Sequence, residues 1–322
     1  MPADIVCFDL EGPLSPQDNA YEVMGLIPNG QQIFEVISRY DDLLALEERP
    51  GYEPGTTLVL IAPFLVLHGL SEEDIERLSD QAPLIDGARD LILDLQEESW
   101  LVHIISTSYQ QHALQTAQRL GVEPGNVACT LFPLMQYRKQ LADEDVTLLV
   151  QTERDILRLY PPQDDEEIKR RLDRFFWIDL LQTKLGGLLV EIEVMGGKRK
   201  VRAARDFARR SDRTLADMVA IGDSITDAAM LQAVHEAGGL AVAFNANQYA
   251  LPYAAVGLAS PDLRELRPVL TAWREGGREG VKSALAGKAN PAWLDDREDL
   301  DDLLALHMRM RRLVRSQAAE LG

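Results

Sequence analysis

The chain of 322 residues has only two cysteines, Cys7 and Cys129, and no Cys-x-x-Cys pair. That scarcity excludes a disulfide framework and a thiolate zinc site, and Cys7, inside an apolar run, reads as a small buried hydrophobe. The five histidines form no His-x-His or His-Glu-x-x-His set, so a histidine zinc site is excluded too. No Gly-x-x-x-x-Gly-Lys-Ser/Thr loop occurs, because Gly196-Gly197-Lys198-Arg199 lacks both the first glycine and the hydroxyl. The longest apolar run, Leu58 to Leu67, contains Pro63 and is far too short to span a bilayer. Basic residues are scarce: 33 Lys and Arg stand against 52 Asp and Glu, a net charge of -19. Such a chain is a poor nucleic-acid binder. Its short basic runs, Lys198-Arg199-Lys200 and Arg309-Met310-Arg311-Arg312, read as solvated helix faces. The opening residues Met1-Pro2-Ala3-Asp4 lack a basic region followed by an apolar one, so the expectation is no signal peptide and a cytoplasmic location.

What the chain does have is apolar residues, 46% of the total, enough for a core domain and a smaller unit. Asp4 to Asp9 predicts a buried strand that stops at Gly12-Pro13. The pattern is then helical to about Ala82: Gln31 to Leu46 at helical spacing, an apolar stretch at Thr56 to Leu67, and Ser71 with Asp74 as a capping signal. Ala88 to Gln96 predicts a helix, Trp100 to Ser106 a second strand, and Tyr109 to Leu120 a helix closed by Gly121. Asp143 to Tyr160, Asp165 to Leu185 and Lys200 to Arg210 read as helices. Asp217 to Asp223 and Leu240 to Phe244 read as a third and a fourth strand, with a helix at Asp227 to His235 between them. From Asp262 the chain is helical and charged. Alternation of this kind predicts an α/β protein with a doubly wound parallel sheet of Rossmann type.

In such sheets, sites form beyond the carboxyl ends of the strands, and the residues there carry chemistry. The first strand ends in Asp9-Leu10-Glu11, the second in Ser106-Thr107-Ser108, and the third in Gly222-Asp223-Ser224-Ile225-Thr226-Asp227; Lys198 or Lys200 opens a helix after a Gly-Gly turn. Each piece alone is an ordinary cap, turn or surface residue. Together they form an inventory for phosphoryl transfer. Carboxylates hold Mg2+, which takes few protein oxygens and leaves room for substrate phosphate. A lysine and a hydroxyl stabilise the phosphoryl oxygens. One aspartate attacks, and a second acid moves the proton.

These four segments, in this order, resemble the four motifs of the haloacid dehalogenase (HAD) superfamily. Asp9-Leu10-Glu11-Gly12 resembles the first, Ile104-Ile105-Ser106 the second, Gly197 to Val201 the third and Ile221 to Leu231 the fourth. Ser106-Thr107-Ser108-Tyr109 is similar to the Ser-Gly-Gly-Phe of phosphoserine phosphatases. More narrowly, Asp9 to Glu22 and Tyr52 to Phe64 resemble a phosphoserine-phosphatase-like family best known from archaea, some of whose members are named as subunit R of an energy-converting hydrogenase A.

The resemblance implies a catalytic core at 1–15 and 83–261, with a helical insertion at about 134–195. It implies a helical C1 cap at 16–82 and leaves a helical extension at 262–322. It implies a phosphoric monoester hydrolase that uses Mg2+ and acts on a small phosphorylated metabolite. Asp9 would be the nucleophile and Glu11 the general acid and base. Ser106, Thr107 and Lys200 would hold phosphate, with Lys198 the second choice for the lysine. The metal ligands would be Asp9, the backbone carbonyl of Glu11 and Asp223, with Asp227 behind them. Arg39, Tyr52, Tyr109 and Asn245 are the candidate substrate contacts. Two departures bear on rate and substrate: Pro13 replaces a usual threonine, and Thr226 replaces an asparagine that contacts substrate in the phosphoserine enzymes. The alternatives are a phosphomutase and a weakly active or non-catalytic partner protein, for example a hydrogenase-associated one. A homodimer or a protein partner is left open, and no membrane insertion is expected.

Overall fold

The computed structural model describes residues 4–47, 49, 52 and 55–315. Residues 1–3 of the expected core, 48, 50, 51, 53 and 54 of the expected cap, and 316–322 of the expected extension lie outside the described residues.

The fold is mixed α/β around one seven-stranded sheet. Its strands are β1 (Ile5–Phe8), β2 (Leu101–Tyr109), β3 (Val127–Thr130), β4 (Met218–Gly222), β5 (Leu240–Phe244), β6 (Val256–Leu258) and β7 (Ala292–Trp293). Their order across the sheet is β3-β2-β1-β4-β5-β6-β7. All pairs are parallel except β6 with β7. Strand side chains alternate between faces, and the partition is visible in the core. Val6, Phe8, Val219 and Ile221 join one apolar cluster, whereas Ile5, Cys7, Met218 and Ala220 join the other. Both faces are covered, which is why the central strands read as unbroken apolar runs.

Sequence patterning missed three strands. β3, β6 and β7 have four, three and two residues, too few for a period to register. The helix expected over Asp165 to Leu185 is broken. It runs from Asp165 to Arg174, passes through a wider turn at Phe175–Asp179, and restarts at Lys184–Leu189. Thr183 makes the restart possible by accepting from the Gly186 amide at 3.0 Å, an N-cap that a continuous helix cannot use. The expected Ser71–Asp74 capping box is present, and Gly121 closes its helix at φ 81°.

A third apolar cluster stands beyond the strand ends. It joins helices Asn19–Met24, Gly30–Leu46 and Thr57–Leu67 to helices Asp143–Arg158 and Asp165–Arg174. Thus the segment after β1 and the central insertion share one core, a roof over the sheet edge. Among the described residues no helix is long and apolar enough to cross a membrane.

Candidate active site

The strand order reverses direction between β1 and β4, the neighbouring strands on which the sheet grows both ways. Ligands bind at such a switch point in open α/β sheets. Asp9 leaves β1 there, its amide still bonded to the Ile221 carbonyl of β4 at 2.8 Å. Asp223 leaves β4 one residue after Gly222. That glycine is required by close approach: a Cβ there would stand 2.5 Å from the Asp227 Cβ. Asp227 in turn caps its own helix, Ile225–Glu236. Its Oδ2 accepts from the amides of Asp223 at 3.0 Å and Ser224 at 3.2 Å. Its Oδ1 faces the sheet edge and accepts from Lys200 Nζ at 2.7 Å, while the same Nζ donates to Asp9 Oδ1 at 2.8 Å. Lys200 sits in the first turn of helix Lys198–Arg210 and is wholly buried. Lys198, the second choice, is exposed and lines a surface groove away from this cluster.

Glu11 approaches from the loop after β1. Its Oε1 accepts from the Asn19 amide at 3.1 Å, at the start of helix Asn19–Met24, and from the Ser108 hydroxyl. Ser106 is buried, its Oγ accepting from the Ser108 amide at 3.1 Å. Thr107 donates its hydroxyl to the Met195 carbonyl at 3.1 Å. Pro13 is buried in the loop beyond Glu11, and the Thr226 and Ser224 hydroxyls lie 3.0 Å apart.

The electrostatics follow from crowding carboxylates in a dry place. Burial, and then the Asp227 charge, push the Asp9 carboxyl well above the usual carboxylate range against the pull of Lys200. Burial alone would lower the Lys200 ammonium, but Asp227 and Asp9 outweigh it and hold the group above its ordinary value. Burial, joined by the Asp18 charge, raises Glu11 to about 7 despite its bond from Ser108. An acid poised there can both give and take a proton near neutrality.

A cavity of about 110 Å3 opens above these groups. Asp9, Glu11, Thr107 and Thr226 line its floor side, and Asp41 and Leu58 come from the roof. Of the four candidate substrate contacts, none is among the lining residues. Arg39 is bound in a two-point pair with Asp165. Tyr52 donates its hydroxyl to Asp41, so it stands behind a lining residue. Tyr109 is buried, stacks on Phe132 and donates to the Leu58 carbonyl. Asn245 is buried and exchanges hydrogen bonds with the Ser260 backbone.

The sequence reading also missed residues that the fold brings in. Ser108 reaches Glu11, and Asp18, Arg311 and Arg315 line the cavity. The run Arg309 to Arg312 was expected to be a solvated face, but Arg311 is 1% exposed and paired with Asp223. The signal that could have found it is the spacing Leu303, His307, Arg311, Arg315, four residues apart and so on one helix face.

The residues at the floor fit a divalent cation. One oxygen each from Asp9, Asp223 and Asp227 fall within 4.8 Å of one another. Among the described residues, the buried Asp223 Oδ1 has no hydrogen-bond partner. An unpaired carboxylate oxygen in a dry site is costly, and a hard cation with oxygen ligands offsets that cost.

No protein-family model matches the chain, and no curated protein matches it. The structure of gene product AF1437 from Archaeoglobus fulgidus is similar over 99% of both chains, with 30% identity and a TM-score of 0.84. A HAD family hydrolase from Salmonella enterica serovar Typhi aligns over 79% of this chain and 66% of its own, with 14% identity and a TM-score of 0.50. A substrate-bound phosphoserine phosphatase aligns over 83% of this chain and 98% of its own, with 16% identity and a TM-score of 0.49. The chain thus belongs to one family with the Archaeoglobus gene product and carries the fold of the HAD hydrolases.

Proposed function

We propose that this protein is a Mg2+-dependent phosphatase that hydrolyses a small cytoplasmic phosphomonoester through a phosphorylated Asp9. The observation that carries the reading is the buried Asp9–Lys200–Asp227 chain beside Asp223 at the switch point of the sheet. A bound Mg2+ would supply charge neutralisation of the phosphoryl oxygens. Asp9, Asp223 and the Glu11 carbonyl are the groups to hold it, and Asp227 orients the shell through Lys200 and the backbone.

The remaining chemistry belongs to the chain. An Asp9 carboxylate oxygen bonds to phosphorus as the bond from phosphorus to the leaving oxygen breaks. Glu11 gives its proton to that leaving oxygen, and the alcohol departs. Water then attacks the phosphorus, Glu11 takes back a proton from it, and phosphate leaves as the carboxylate of Asp9 is restored. Lys200, Ser106 and Thr107 are the phosphoryl-holding groups. The roof excludes water during the first half and selects the alcohol.

The test is phosphate release from a panel of small phosphomonoesters, with and without Mg2+, beside Asp9→Asn. Turnover that needs the metal and vanishes in the variant is expected. In 18O water the label should enter phosphate; a phosphoryl group moved within the substrate would instead mark a mutase. Silence across the panel from folded protein would overturn the enzyme reading in favour of a ligand-binding partner protein.

A further inference from the structure

The C-terminal helix Asp301–Arg315 lies against the sheet on the face that carries helix Ile225–Glu236. Its buried side is one stripe. Leu303 is 5% exposed and packs so near β6 that a Cβ on Gly257 would stand 3.0 Å from it. One turn on, His307 is buried, and its Nδ1 accepts from the Ala246 amide at 3.0 Å. The next two turns bring Arg311 and Arg315 to the carboxyl end of β4.

Arginine is rarely buried unless paired, so two buried guanidiniums on one stripe need a partner. Both find the same atom. Arg311 and Arg315 each donate through one terminal nitrogen to Asp223 Oδ2, the latter at 2.9 Å. Arg315 also donates to the Pro16 carbonyl at 3.1 Å, which ties the loop after β1 to the helix. On another side, the backbone closes in: a Cβ on Gly12 would stand 2.3 Å from the Asp223 Cγ. The carboxylate is therefore wedged and held by one oxygen, while the other, Oδ1, is buried with no hydrogen-bond partner among the described residues.

We propose that Arg311 and Arg315 are positioning residues of the reaction centre: they clamp Asp223 through Oδ2 and so present Oδ1 to the divalent cation. The inference rests on the metal-dependent reading above. It makes the C-terminal helix a component of the site, because the clamp reaches the sheet edge from the last turns of that helix. Fixing a metal ligand through the groups bonded to it is a general requirement of precise cation sites, and here helix Asp301–Arg315 meets it.

The test is Mn2+ binding to the full chain, read from the free-ion signal in electron paramagnetic resonance, so that it does not depend on turnover. Arg311→Met is expected to weaken Mn2+ binding about tenfold or more. Arg311→Lys, which keeps the charge but loses the planar fork, should fall between the variant and the parent. Raising Mg2+ should return most of the kcat of Arg311→Met. Leu303→Ala, which loosens the same helix without touching Asp223, should lower Tm and leave Mn2+ affinity within about twofold. A folded Arg311→Met with parental or tighter affinity overturns the clamp. Equal losses of affinity in Leu303→Ala and Arg311→Met reduce it to ordinary packing and also overturn it. If the methionine variant does not fold, Arg311→Lys and Arg315→Lys decide, since an unchanged Mn2+ affinity in both removes any positioning role. A parent that binds no Mn2+ refutes the metal-dependent reading itself. Binding by the parent with no change in the variants refutes the clamp alone.

Discussion

The floor of the cavity and its roof are built on opposite principles. At and just beneath the floor, Asp9, which lines the cavity, and Asp223, Asp227 and Lys200, which lie behind that lining, are all at most 4% exposed, and the ends of strands or first turns of helices fix each one. In the roof, several half-buried polar groups are satisfied by one another: Arg39 with Asp165, Arg49 with Asp173, Tyr52 and Thr57 with Asp41. A rigid, dry floor is where oriented charges act most strongly on a reacting group. A roof held by partly solvated pairs and its own apolar cluster is where shape can vary without disturbing them. Under the function proposed above, the floor would carry the chemistry and the roof the selection.

The largest break in that contrast should come from Asp9→Asn. Turnover is expected to fall on the order of 10^4-fold or more, measured as phosphate release, with the Tm near that of the parent. Next is Glu11→Gln, expected to cost about 10^2- to 10^4-fold in kcat. Acid quench should catch a phosphorylated chain if water activation is the step lost. Lys200→Met strikes stability as well as rate, because it strands two buried carboxylates. Removing one partner of a buried pair costs roughly 3–5 kcal/mol, and thermal melts should recover part of that loss on adding Mg2+. In the roof, Asp41→Asn should leave kcat within about twofold and move KM by less than about tenfold, the pattern of lost uniform binding. A collapse of kcat in that variant would place chemistry in the roof and end the contrast.

The smallest effect concerns the brace beneath the floor. Burial pushes His307 down to about 4, and His103 and His112 down to about 4 and about 3. Their folded values lie below the ordinary histidine value, so the unfolded chain binds protons that the native chain refuses. Stability is therefore full above about pH 6.5 and is lost as pH falls from there toward 4. His307→Gln, which keeps an acceptor for the Ala246 amide, should flatten the fall in Tm between pH 7 and pH 5. An unchanged slope would show that His307 takes no part in it.

Legibility in the sequence tracked these same regions. The ends of β1, β2 and β4 could be read because a buried strand followed by acid or hydroxyl is visible in one dimension. Of the two lysines, Lys200 preferred and Lys198 second, the fold turns Lys200 inward to Asp9 and Asp227 and leaves Lys198 exposed. The candidate substrate contacts rest on residue type alone. Arg39 and Asn245 proved committed to Asp165 and Ser260, because a cap arginine or a loop asparagine has many available partners and the sequence does not rank them. Ser108 belongs to the strand end Ser106-Thr107-Ser108 but carries no role in the sequence reading, although two residues beyond Ser106 on an extended strand it shares that residue's face.

The sequence by itself determined the largely parallel α/β sheet and the order of the polar segments that end its strands. Those features depend on local period and on where apolar runs stop, both of which a single chain displays. Tertiary structure alone decided that the central insertion joins the segment after β1 in one core, and that the charged C-terminal helix buries two arginines on Asp223. The four-residue spacing puts both arginines on the apolar face of their helix, but it does not name a partner more than eighty residues away.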